Sequence, residues 1–151
     1  MSAYSEVLTG LDMLTFEVPG TPAGQGAHRV SSAGRIYEVT KNHRPWREAI
    51  IYAAREAFGD RPPITGPVEV AVVFAFTRPR SHYGSGKNAT VLKPTAPLAH
   101  VGTPDLDHLQ RSIGDALEQA GVVRNDKQIA QWMASKVYAE RPSATVQLLI
   151  L

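Results

Sequence analysis

The sequence predicts a single α+β domain, two main helices against a small sheet. Three observations carry that prediction. Two stretches, Arg44–Phe58 and Thr103–Ala120, place apolar residues at helical spacing. Four others, Met13–Pro19, Val68–Phe76, Asp126–Glu140 and Ser143–Leu151, read as strands. The chain has 151 residues, 43% of them hydrophobic, which suits one core and argues against wholesale disorder. No internal repeat and no second domain is visible.

Residues 1–12 read as a loose tail, leaving 13–151 as the domain. Met13–Pro19 is a short strand ended by Pro19-Gly20. Gly20–Gly34, rich in Gly, Ala and Ser, suits a loop or irregular hairpin leading to a possible strand at Arg35–Val39. In Arg44–Phe58, Trp46, Ile50, Ala53, Ala54, Ala57 and Phe58 recur on one face, and Gly59 follows as a stop. Val68–Phe76 alternates, with Val68, Val70, Val72, Phe74 and Phe76 on one side. Its other side is mostly small or apolar, which marks a central strand covered on at least one face and suits cover on both. Thr77–Val101 is a long loop, of a length that in a compact domain is functional or mobile. Thr103 then fits an N-cap, Pro104 the first helical position and Gly121 the C′ position of the second helix. The last two strands read as an antiparallel pair joined at Arg141-Pro142. The final strand is apolar on both faces, so it needs cover, for which a second subunit is one source.

Composition excludes several classes. With no cysteine there is no disulfide scaffold, thiolate zinc site or cysteine nucleophile. No apolar run approaches the ~20 residues of a membrane helix, and no basic flank precedes an apolar segment at the N-terminus, so the expectation is a cytoplasmic soluble protein.

The charges are unevenly distributed. Lys and Arg number 16 against 14 Asp and Glu, a net of +2. Yet no acid stands between Glu69 and Asp105, a stretch carrying Arg78, Arg80, Lys87 and Lys93. The next 22 residues hold Asp105, Asp107, Asp115, Glu118 and Asp126, four of the chain's six aspartates among them. A basic loop feeding an acid cluster suits an enzyme that holds a polyanion and a divalent cation together. A solvated helix face beside a basic loop gives the same pattern.

On the second helix Leu106, Leu109, Ile113, Ala116, Leu117 and Ala120 share one arc. Asp107, Arg111, Asp115 and Glu118 lie opposite, with Arg111 spaced to pair with Asp107 and Asp115. On a continuous helix Asp105 would point roughly 160° from Asp107. The two converge only if Asp105 precedes the established helix. A cation there meets the positive end of the helix dipole and needs several carboxylates, with Asp126 the third. Oxygen ligands favour Mg²⁺ or Mn²⁺.

Other motifs fail. Gly84-Ser-Gly86-Lys87 lacks the first glycine and the Ser/Thr of a phosphate loop, and Gly24-Gln-Gly26 lacks the third glycine of a dinucleotide fingerprint. No nucleotide cofactor is expected. The five histidines (28, 43, 82, 100 and 108) show no metal-ligand spacing and read as loop or surface residues.

The segment PDLDHLQRSIGDALEQAGVVRNDKQI (104–129) resembles the RusA family, endodeoxyribonucleases that resolve Holliday junctions, often carried by phages and prophages. The family pattern runs Asp-x-Asp-Asn-Leu-x-Lys, Asp-Ala-Leu, a glycine turn and Asp-Asp-x-Gln-(Ile/Val). Asp105, Asp107, Leu109, Asp115, Ala116, Leu117, Gly121, Asp126, Gln128 and Ile129 match it. Lys136 stands where a basic residue often follows, and Phe16–Pro22 with the Arg44–Phe58 helix resembles the N-terminal half. Three positions depart: His108 for Asn, Arg111 for Lys and Asn125 for the first Asp of the pair.

The resemblance implies a mixed sheet with two main helices in an intertwined homodimer. It also implies Mg²⁺ (or Mn²⁺) held by Asp105, Asp107 and Asp126, and paired symmetric nicks across a four-way DNA junction. Arg111, in the family's lysine position, would neutralise a phosphate oxygen, and Arg78, Arg80, Lys87, Lys93 and Lys136 would contact DNA. Two other readings stay open: a junction-binding protein with an impaired site, and an α+β domain whose acids are surface charges.

Overall fold

Alternation along β1 (Met13–Pro19) turns Leu14, Phe16 and Val18 inward and leaves their neighbours exposed. The computed structural model describes residues 13–25, 28–30, 32–34, 36–38 and 42–151; the expected 1–12 tail lies outside the described residues. Two short strands, β2 (His28–Val30) and β3 (Ile36–Glu38), pair antiparallel where an irregular hairpin was expected. Helix α1 (His43–Phe58) buries Trp46, Ile50, Ala54 and Phe58 at its expected spacing, and Gly59 ends it with φ 70°, a conformation that favours glycine.

β4 (Val68–Phe76) leads through the long loop to α2 (Leu106–Gln119) and then to β5 (Ile129–Tyr138) and β6 (Ser143–Ile150). The main sheet has the order β1-β6-β4-β5. β6 is antiparallel to both β1 and β4, whereas β5 is parallel to β4, so the sheet is mixed. The expected joined antiparallel pair of the last two strands does not form. They run in opposite directions, but β4 lies between them and neither bonds the other. The reason is α2, which supplies the crossover that a parallel β4–β5 pair requires.

Both helices cover one face. Leu109, Ile113, Ala116 and Leu117 of α2 are fully buried with Ile50 of α1 against Val68, Val70, Val72 and Phe74 of β4 and Val146 and Leu148 of β6. The opposite face is open, with Val73 42% and Met133 59% exposed, so among the described residues β4 is covered on one side only. No helix among the described residues is long and apolar enough to cross a membrane.

Candidate metal and nucleic-acid site

The second helix starts later than expected. Thr103 and Pro104 are not helical, the peptide between them is cis, and the N-cap is Asp105 with extended backbone (φ −67°, ψ 144°). Asp105 thus stands outside the helix while Asp107 lies in its first turn, the geometry that convergence of the two requires. Ligand atoms of Asp105, Asp107 and His108 lie within 4.8 Å of one another. His108 sits between the carboxylates, Nδ1 3.9 Å from Asp105 Oδ2 and Nε2 3.9 Å from Asp107 Oδ2. Both carboxylates are well exposed.

His108 therefore differs from its reading as a loop or surface residue. Its signal was in the sequence, an i,i+3 spacing from Asp105 across a helix start. His43 also departs from that reading: it is buried in α1. The strap at 21–25 explains why a glycine precedes Gln25. A Cβ at Gly24 would stand 2.9 Å from His108 Cβ and 3.2 Å from Pro104 Cβ. Gln25 N donates to His108 O, and the buried Ser112 hydroxyl donates to Ala23 O at 3.2 Å, so the strap is fastened to α2 beside the acids.

Asp126 does not join the trio. It occupies a 3-10 turn, Asp126–Gln128, and its Cβ lies 3.7 Å from where a Cβ of Gly114 would be. Gly114 is about 10 Å along the helix from Asp107 and on nearly the same face. Arg111 projects between these two levels. The expected ion pairs to Asp107 and Asp115 are absent within 4.0 Å, and Arg111 is exposed. Asn125, the departure beside Asp126, is a cap: its Oδ1 accepts from Lys127 N at 2.9 Å, a role Asn fills as well as Asp.

Gln128 fastens this turn. Its Oε1 accepts from Arg124 N and Asn125 N, and its Nε2 donates to Ile64 O and Gly66 O, all at 2.8–2.9 Å. The sequence marks the position but not these four bonds.

The loop after β4 is folded rather than structureless. It contains two 3-10 turns, Arg80–His82 and Gly86–Asn88, and a bridge between Tyr83 and Leu92. Its base packs on Tyr138 of β5: the Arg78 guanidinium lies 4.4 Å from the ring centroid, with His82 and His100 at 5.4 and 5.1 Å. Arg78 Nη1 also donates to Pro97 O at 2.7 Å. Burial and the charge of Lys136 lower the His100 pKa, against a smaller backbone hydrogen-bond effect. Arg80, Lys87 and Lys93 are exposed, whereas Lys136 is half-buried with its ammonium on two backbone carbonyls.

The arrangement puts carboxylates, an imidazole and a guanidinium unpaired among the described residues along one helix edge, and the loop before the helix exposes Arg80, Lys87 and Lys93. Hard divalent cations and phosphate oxygens are the ligands such groups suit. Comparison with protein families gives a match to the model described as Endodeoxyribonuclease RusA over residues 19–149. No curated protein matches the chain.

Proposed function

Because the chain belongs to the RusA family of Holliday-junction-resolving endodeoxyribonucleases, we propose that it nicks four-way DNA junctions with a divalent cation held at the head of α2. The observation that carries this reading is the release of Asp105 from the helix, which lets its carboxylate meet that of Asp107. The two carboxylates offer the oxygen ligands that suit Mg²⁺ or Mn²⁺, with His108 beside them. Asp126, about two turns further along the same edge, would hold a second ion or join the first site when DNA is bound. Bound there, the cation supplies Lewis acidity for phosphodiester hydrolysis.

The chain's own groups do the rest. Carboxylates at the positive end of the helix dipole offset the repulsion a cation meets there. Arg111, free of partners among the described residues and level with the interval between the acids, neutralises a phosphate oxygen; its planar fork suits two oxygens where the family's lysine offers a point charge. Arg80, Lys87 and Lys93 hold the DNA backbone, while Arg78 shapes the loop through Tyr138. A second copy packing on the open sheet face would cover Val73 and Met133 and give the homodimer that two symmetric nicks require.

Synthetic four-way junctions should be nicked in Mg²⁺ and remain intact in chelator. Asp107→Asn should abolish nicking and leave junction binding. An Asp107→Asn protein as active as the parent would sink the metal assignment. One observation favours the impaired-site reading, the separation of Asp126 from the trio. Junction binding with no nicking in Mg²⁺ or Mn²⁺ would establish it.

A further inference from the structure

The segment leading into α2 is held in an unusual way. From 97 to 104 the main chain makes no backbone–backbone hydrogen bond among the described residues. Side chains hold it instead. Arg78 bonds Pro97 O, His100 packs with its ring tilted at 4.3 Å from Phe76 and at 5.1 Å from Tyr138, and Lys136 takes the end nearest the acids. Lys136 Nζ donates to Gly102 O at 2.7 Å and to Pro104 O at 2.9 Å. No carboxylate lies within 4.0 Å of it among the described residues.

The position of Lys136 explains its reach. Its register partner is Phe74, an inward residue of β4, so Lys136 stands on the helix side of the sheet at the edge strand β5. An ammonium there is screened from solvent on one side and needs oxygen acceptors. Two carbonyls two residues apart provide them, and Asp105 is the next residue. Fixing the carbonyls on either side of Thr103 fixes the direction in which the chain enters Asp105.

We propose that Lys136 is a positioning residue for the metal site, setting the Asp105 carboxylate through the 102–104 backbone and not contacting DNA. This rests on the reading that Asp105 and Asp107 hold a cation. Groups that orient metal ligands without touching the metal change affinity by about 10–100-fold when removed.

The test uses Lys136→Met, Lys136→Gln and Lys136→Arg in the full chain. Mn²⁺ alone, without DNA, is titrated by electron paramagnetic resonance, and junction binding is measured in chelator across a salt series. Lys136→Met and Lys136→Gln should bind Mn²⁺ about tenfold or more weakly, with junction affinity and salt slope unchanged. Lys136→Arg, which keeps two donors, should recover most of the loss. If Lys136→Met does not fold, Lys136→Gln against Lys136→Arg decides. Unchanged Mn²⁺ affinity overturns the proposal. So does a salt slope lower by about 0.7–0.9, the signature of one lost phosphate contact. A parent chain that binds no Mn²⁺ removes the underlying metal site, a failure visible before any variant is made.

Discussion

Gln128→Ala should be among the most destabilising single truncations outside the core. The side chain makes four hydrogen bonds at 2.8–2.9 Å, joining the turn that carries Asp126 to the connector between α1 and β4. Each such bond is worth about 0.5–1.5 kcal/mol net, so the sum is about 2–6 kcal/mol. Gln128 is half-buried and Arg124 exposed, so water takes over part of the loss. The lower part of the range, about 2–4 kcal/mol, is expected. For a chain of this size that lowers the melting temperature by about 4–16 °C. Urea unfolding should show the midpoint falling with an unchanged slope. Gln128→Glu separates the two halves of the side chain, because it keeps both acceptor bonds but sets a carboxylate against the carbonyls of Ile64 and Gly66. It should be at least as damaging at neutral pH and recover in acid, where the protonated group donates to one carbonyl. A loss below about 1 kcal/mol for Gln128→Ala would refute the claim that these bonds carry net stability.

Three further outcomes follow from the same geometry. Gly24→Ala places a methyl 2.9 Å from His108 Cβ and should cost about 1–3 kcal/mol, read by thermal unfolding; an unchanged midpoint would mean that the strap yields freely. His100 has a lowered folded pKa, so the unfolded chain binds more protons: its contribution to stability is complete above the ordinary 6.5 and is lost as pH falls through the lowered value. His100→Phe, which keeps the ring contacts, should therefore flatten the acid side of the stability–pH curve, and identical curves would refute this. Arg80→Ala, Lys87→Ala and Lys93→Ala should each lower the salt slope of junction binding by about 0.7–0.9 if each meets one phosphate; unchanged slopes would remove the loop from the DNA interface.

Much of the fold was legible because its signals are local. Met13–Pro19 and Val68–Phe76 coincide with β1 and β4, since alternation over a few residues specifies both strand and face. The α1 stripe and the Leu109–Leu117 arc were equally readable, because helical spacing repeats within one turn. The start of α2 was not. Thr103 and Pro104 fit cap positions by type, yet that backbone stays outside the helix, with the Gly102 and Pro104 carbonyls on Lys136, 34 residues from Gly102.

By itself, then, the sequence determined the elements, the faces they bury, the absence of thiol chemistry, and the acids and bases that could meet. The tertiary structure decided which of them do meet. β4 separates β5 from β6 because a parallel crossover through α2 puts β5 on the outer edge of β4. His108 enters the acidic trio because Asp105 leaves the helix, and Asp126 stands apart because Gln128 ties its turn to carbonyls 62 and 64 residues away. Periodicity records what neighbours along the chain share; hydrogen bonds across such separations depend on packing, which no local pattern encodes.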